Sequence, residues 1–259
     1  MCRSSSWIFA ILAAGFSLGC DVQAEELRFA SKTTATHLLE LFTSEGCSSC
    51  PPAETWLGKL RNDDRLWQEL IPVAFHVDYW DGLGWRDRFA QPEWTRRQRA
   101  YADRWRNSSV YTPGFVLDGR EWQNWAGKLS FFQGENAGLL VAIANGNNVR
   151  ASFQPVAKFS SGSAHVAWLG FNLLSNVRAG ENEGRLLRHD FVVLRHATAP
   201  LIRDANGLWK AELTSSEGNH EEAGAIACWV ESDGIPLQAT GGWLAGAKNL
   251  TAGRSETGR

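Results

Sequence analysis

The stretch "TSEGCSSCPPAE", Thr43 to Glu54, carries two cysteines three residues apart, Cys47 and Cys50, followed at once by two prolines. Immediately upstream, "HLLELFT" is a near-continuous apolar run, the pattern of a buried strand. Downstream, Ala53, Trp56, Leu57 and Leu60 recur at the spacing of one helix face. The cysteines therefore fall at a strand-to-helix junction. Unpaired backbone N–H groups and the helix dipole favour a thiolate there. The more exposed first cysteine attacks a substrate disulfide, and the second resolves the mixed disulfide. A helix starting at Cys47 would place Pro52 where it breaks a hydrogen bond, so either the first turn is irregular or the regular helix begins at about Pro51. In the second case the dipole acts more on Cys50 than on Cys47. No basic residue adjoins the pair and Glu45 lies close, which predicts weak thiolate stabilisation.

The 259 residues are 44% hydrophobic and 21% charged, an ordinary globular composition, and the net charge of -2 gives no electrostatic case for a nucleic-acid partner. Of the 13 tryptophans, Trp80, Trp85, Trp94, Trp105, Trp122 and Trp125 crowd one segment. They are read first as core volume, and Trp80 and Trp85 also as an aromatic wall for substrate.

Arg3 precedes an apolar run from Trp7 to Leu18, too short to span a bilayer, and Val22-Gln23-Ala24 fits a signal-peptidase site. Residues 1–24 are thus expected to be a signal peptide, and the mature protein periplasmic or secreted. A rival reading ends a lipobox at Cys20. No later segment reads as transmembrane. Export leaves Cys47, Cys50 and Cys228, with Cys228 in the strand-like "GAIACWV" as a buried inert thiol.

Residues 36–146 alternate strand-like and helix-like patterns. In "IPVAFHVDYW", Ile71, Val73, Phe75 and Val77 point one way, and Ala74, His76 and Asp78 the other. A helix opens near Pro92, "GFVLDGR" is a strand ending in an Asp118-Gly119 turn, and "NAGLLVAIANG" is expected to be a helix closed by Gly146. Residues 147–245 break into short apolar runs between Gly, Ser, Asn and Asp clusters, which predicts a smaller antiparallel β domain. Residues 246–259 are polar and expected to be disordered.

Glu40 sits inside the apolar strand that delivers Cys47, where burial raises a carboxyl pKa; it is a candidate proton relay to Cys50, or else a structurally bonded carboxylate. His76 and Asp78 share a strand face and are read mainly as anchors. His37, His165, His189, His196 and His220 are scattered and read as structural or exposed. The arginines from Arg86 to Arg106 are read as a solvated helix face.

A strand, C-x-x-C, a helix, a strand and then "VYTPGFVLDG" resemble the thioredoxin fold. That resemblance implies an α/β thioredoxin-like domain in which Pro113, preceded by Thr112, is a cis-proline that aligns substrate backbone beside the dithiol. "LELFTSEGCSSCPPAE", "AFHVDYWDGLGWRDRFAQPEWTRRQRAYA", "VYTPGFVLDGR" and "GENEGRLLRHDFVV" are similar to an uncharacterised family of secreted bacterial proteins, domain of unknown function 1223. The chain departs from thioredoxin in lacking the Trp-Cys-Gly-Pro-Cys motif, in its longer Trp/Arg-rich insertion, and in Glu40 standing one place further from the cysteine.

The favoured reading is an exported thiol–disulfide oxidoreductase acting on protein or small-molecule thiols, with Cys47 as nucleophile, Cys50 as resolving thiol and no cofactor. Two alternatives stay open. One is copper handling by Cys47, Cys50 and His76, since soft thiolates favour Cu(I), although Met1 is the sole methionine. The other is a binding protein stapled by a structural disulfide, whose short loop contributes little entropy.

Overall fold

The computed structural model describes residues 26–127, 135–215 and 223–245. The expected signal peptide 1–24 with Cys2 and Cys20, His220 and the polar tail 246–259 lie outside the described residues.

The α/β expectation does not survive. Among the described residues there are fifteen strands and two α-helices, arranged in large sheets rather than in a thioredoxin-like α/β domain. The main sheet has eight strands. Within it β2 (His37–Thr43) runs parallel to β3 (Leu70–His76) over seven registered pairs. Beside β2 lies β4 (Gly114–Leu117), antiparallel to it, and β4 pairs in turn with β5 (Arg120–Glu121), again antiparallel. Asp118 (φ 49°) and Gly119 (φ 76°) join β4 to β5 with two left-handed residues, as a tight hairpin of matching twist requires. On the other side, β3 meets β11 (Val192–Pro200), then β8 (Ser163–Gly170), β14 (Ala223–Ser232) and β15 (Ile235–Trp243). Strands from both sides of position 146 thus share one sheet.

The second sheet contains β1 (Leu27–Ala30), β6 (Gly138–Asn145), β7 (Asn148–Pro155), β13 (Trp209–Thr214) and β12 (Ile202–Arg203). The segment expected as a helix closed by Gly146 is therefore strand β6. Gly146 (φ 58°) sits in the two-residue loop that turns β6 into β7. The physical reason is visible in the burial. Leu140, Ala142 and Ala144 face inward while Leu139 and Asn145 are exposed, and a partner strand satisfies the backbone that a helix would have satisfied internally. Leu140, Phe153 and Leu213 of this sheet pack with Val166, Trp168, Ile226 and Cys228 of the larger one. Cys228 is a free, buried thiol whose pKa burial pushes up to about 12, so it stays protonated and inert.

Alternation along β2 sets the two helices on opposite faces. Thr43 donates through Oγ1 to Glu54 of α1 (Cys50–Lys59) at 2.6 Å. Glu40, of opposite parity, accepts from Arg97 of α2 (Pro92–Arg104) at 2.6 Å. All seven residues of β3 are buried, so both of its faces are covered.

One side chain ties the N-terminal segment down. The Gln238 carbonyl accepts from the Thr36 and Ala239 amides, while its amide nitrogen donates to the carbonyls of Lys32, Thr34 and Gly138. Gln238 is 1% exposed. Gln238→Ala leaves buried backbone groups unpaired and is expected to cost about 2–4 kcal/mol, read as a lower urea midpoint at unchanged m-value. A loss below about 0.5 kcal/mol would show that this stitching is replaceable by water.

Candidate functional site at the Cys47–Cys50 disulfide

Strand β2 ends at Thr43 and a tight turn follows, in which the Cys47 amide donates to the Ser44 carbonyl at 3.2 Å. Helix α1 starts at Cys50 with Ser49 as its N-cap residue and proline in its first turn. A helix starting this late tolerates both prolines, because first-turn N–H groups have no partner within the helix. The dipole consequently bears on Cys50, as the second sequence alternative has it.

Cys47 and Cys50 are joined in a disulfide with Cα atoms 5.5 Å apart. The Thr112–Pro113 peptide bond is cis. The Thr112 carbonyl lies 3.7 Å from Cys47 Sγ and 3.5 Å from Ser49 Oγ. Trp80, half-buried, donates from its indole N–H to Thr112 Oγ1 at 2.8 Å and so fixes this segment against the sulfurs. Contrary to the expectation of an exposed nucleophile, Cys47 and Cys50 are both 0% exposed, while Ser48 and Ser49 between them are open to solvent.

The loop between β9 (Leu173–Asn176) and β10 (Leu186–His189) is tied to this turn. Glu181 accepts from the Ser48 amide at 2.9 Å, which lowers its own pKa. Buried Asn182 donates to the carbonyls of Glu45 (2.8 Å) and Cys47 (2.9 Å). No spacing in the sequence announced these two residues.

Glu40, His76, Asp78 and Trp85 each face partners other than the sulfurs. Glu40 is not beside the disulfide. It faces α2, where Arg97 and the Tyr101 hydroxyl (2.6 Å) hold it. Its pKa is raised by burial, against the pull of Arg97. His76 does not join the cysteines as a metal ligand. Its Nδ1 contacts Asp87 Oδ2 at 2.6 Å, its ring meets Phe89 and His189, and both sulfurs are used in the disulfide. Nor does it pair with Asp78, which accepts instead from the Thr95 hydroxyl at 2.5 Å. Trp85 turns its indole N–H to Glu45 Oε2 at 2.6 Å.

Beneath α1 lies a buried polar cluster that sequence reading missed. Asp87 accepts from the amides of Glu45 (2.8 Å) and Phe89 (2.9 Å) as well as touching His76. His189 Nδ1 contacts Glu54 Oε2, and its Nε2 lies 3.4 Å from Glu45 Oε1. Burial alone would lower the His189 pKa, but the Glu54 and Glu45 carboxyl groups outweigh it and raise it to about 10. Glu54 and Asp87 would be raised by burial, yet His189 and His76 respectively hold them below the ordinary carboxylate range.

Fold and site together define a β-rich protein with a buried disulfide at a helix N-terminus, backed by a carboxylate–histidine cluster. The chain belongs to the protein family of unknown function DUF1223, whose family model matches residues 38–231. It is similar in fold to a crystal structure of protein AGR_C_4864 from Agrobacterium tumefaciens, at 21% identity, covering 88% of this chain and all of that one, TM-score 0.56. HBP35 of Porphyromonas gingivalis is similar at 14% identity, with 88% and 81% of the two chains covered and TM-score 0.56. No curated protein matches.

Proposed function

We propose that the chain is an exported protein that carries out thiol–disulfide exchange through Cys47 and Cys50 on protein or small-molecule thiols. The observation supporting this is the position of the disulfide, at the start of α1 and against the Thr112 carbonyl beside cis-Pro113. A bond stapling only four residues contributes little chain entropy, so stability alone is a poor reason for it. Export is inferred from the apolar run Trp7 to Leu18 and the cleavage pattern Val22-Gln23-Ala24.

In the exchange, a substrate thiolate attacks Cys47 Sγ and forms a mixed disulfide. The Cys47–Cys50 bond breaks, and its electron pair leaves on Cys50, whose thiolate sits at the helix N-terminus where dipole and free N–H groups favour it. A second substrate thiolate attacks the substrate sulfur of the mixed disulfide and expels Cys47. The substrate is oxidised by two electrons, and the protein retains them as a dithiol until a redox partner of the disulfide class takes them. Run in reverse, Cys47 is the nucleophile and Cys50 the resolving thiol. Thr112 and Pro113 supply the edge along which substrate backbone aligns.

The test is the reduction potential in glutathione buffers, paired with trapping by Cys50→Ser. A potential near or above about -200 mV, together with a mixed disulfide on Cys47 that Cys47→Ser abolishes, is the expected result. A potential below about -300 mV with nothing trapped would mark a structural disulfide and overturn the proposal.

A further inference from the structure

We infer that Glu45, Glu54, His76 and His189 form a binding site for one divalent transition-metal ion of the zinc class, buried behind α1. Glu54, His76 and His189 each offer a ligand atom within 4.8 Å of the other two. Glu45, His76 and His189 are 0–1% exposed, and Glu54 is 7%.

His76 Nε2 is buried without a hydrogen-bond partner, while His189 Nε2 and Glu45 Oε1 face each other across 3.4 Å. Orphaned buried polar atoms are rare, and a bare imidazole nitrogen beside this long ion pair calls for a partner. The remaining polar atoms there are engaged as those of a metal site are. Asp87 occupies His76 Nδ1, so that imidazole is oriented by a carboxylate and directs Nε2 elsewhere, while Glu54, as a ligand, meets His189 on its Nδ1 side. The Glu45 carboxylate is held at Oε2 by Trp85, which leaves Oε1 facing His189 Nε2 at 3.4 Å. Two ligands about 2.1 Å from a tetrahedral ion stand roughly 3.4 Å apart, the same separation. Closing the wider 4.8 Å spacing among Glu54, His76 and His189 takes side-chain movements of about 1 Å.

The donors are imidazole nitrogen and carboxylate oxygen, with no free thiolate among them. That set suits Zn²⁺ or Co²⁺, whereas Cu(I) prefers thiolate or thioether and Mg²⁺ prefers oxygen alone. The four residues come from the turn before Cys47, from α1, from β3 and from β10. An ion here would lock the cysteine turn and helix to the second half of the chain.

The test uses the full chain, stripped with chelator and titrated with Zn²⁺ by calorimetry and with Co²⁺ by visible absorption. One ion per chain is expected, with the d–d bands of four-coordinate Co²⁺ and a rise in Tm on Zn²⁺ addition. Cys47→Ser with Cys50→Ser should bind as the wild type does, which separates this site from the disulfide reading. His76→Ala and His189→Ala should each weaken binding at least about 100-fold, and Asp87→Asn about 10–100-fold through loss of orientation. If the histidine variants fail to fold, Glu45→Gln, which keeps an acceptor for Trp85, should still lose at least about tenfold. Failure of the wild type to take up either ion stoichiometrically would overturn the inference. So would uptake that survives these substitutions but disappears with the cysteines.

Discussion

Arg97→Ala is expected to destabilise the protein by about 3–5 kcal/mol, because it strands two buried carboxylates. Arg97 donates to Glu40 and Glu231 at 2.6 Å each and to the Tyr101 hydroxyl at 3.0 Å. Its guanidinium also lies 5.3–5.5 Å from the ring centres of Phe75, Tyr101 and Trp229. Glu40 is 0% exposed in mid-strand, and without Arg97 it keeps only the Tyr101 hydroxyl. The deficit should depend on pH with a definite sign. In the variant, burial holds the Glu40 pKa above its unfolded value of 4.5, so the folded variant binds a proton that the unfolded chain releases. Its stability is therefore greatest below pH 4.5 and declines as the pH rises. Urea denaturation at about pH 5 and about pH 8 should show the larger loss at the higher pH. Arg97→Met combined with Glu40→Leu and Glu231→Gln should recover much of the loss, since removing all the charges is far cheaper than removing one. A single-variant loss below about 1 kcal/mol would mean that water enters the cluster.

The second large effect is acid lability arising next to that cluster. His165 stacks on Trp229 at 5.1 Å and touches His196 Nε2 at 3.1 Å and Ser163 Oγ at 2.8 Å. Burial, reinforced by Arg97 and His196 against the opposing pull of Glu231 and Glu93, lowers its pKa from 6.5 to about 3. The unfolded chain takes up a proton on His165 below pH 6.5, and the folded chain does not until about pH 3. Stability from this group is thus complete above pH 6.5 and lost as the pH falls through that window. Glu231 acts in the same direction. Burial would raise it, but Arg97 and His165 bring it down from 4.5 to about 2, so its share is lost between those values. At about 1.4 kcal/mol per pKa unit the shifts are worth roughly 5 and roughly 3 kcal/mol. The two groups lie 3.5 Å apart, so the contributions are not additive. Denaturation from about pH 7 to about pH 4 should therefore lose on the order of 3–5 kcal/mol, and His165→Gln should flatten the slope above about pH 4.5. An unchanged slope in that variant would assign the lability to other carboxylates.

How far these features can be read in advance depends on how local their causes are. β2, α1, α2 and the β4–β5 hairpin are legible because each is fixed by its own residues: an apolar run, an apolar helix face, a proline at a helix start, an Asp-Gly turn. β6 misleads because its Leu, Val and Ala residues suit either state. The Asn145-Gly146 pair is a hairpin signal that also fits a helix end. Cys47, Cys50, Thr112 and Pro113 stand out as a group because their chemistry is carried by residue type and order. The Glu45, Glu54, His76, Asp87 and His189 cluster does not, since its members come from separate segments and only the folded chain brings them together. Two weak hints exist: Glu54 sits beside Ala53 on the apolar face of α1, and His189 opens the apolar run "HDFVVLRH". Arg97 reads as one of several solvated arginines, and only its burial distinguishes it.

The main sheet closes across β3 and β11 at one registered pair, Ala74 with Val192, supported by the Ala74 amide donating to the Phe191 carbonyl at 2.8 Å. For a nascent chain emerging N-terminus first, this orders events. β2, β3 and β4 are complete long before Val192 exists, and β3 is apolar on both faces with one edge open. Such an edge is a template for pairing with another copy. The chain must therefore be delivered past Val192 before the β3 edge can be closed, and a chain truncated ahead of Val192 would present a sticky half-sheet.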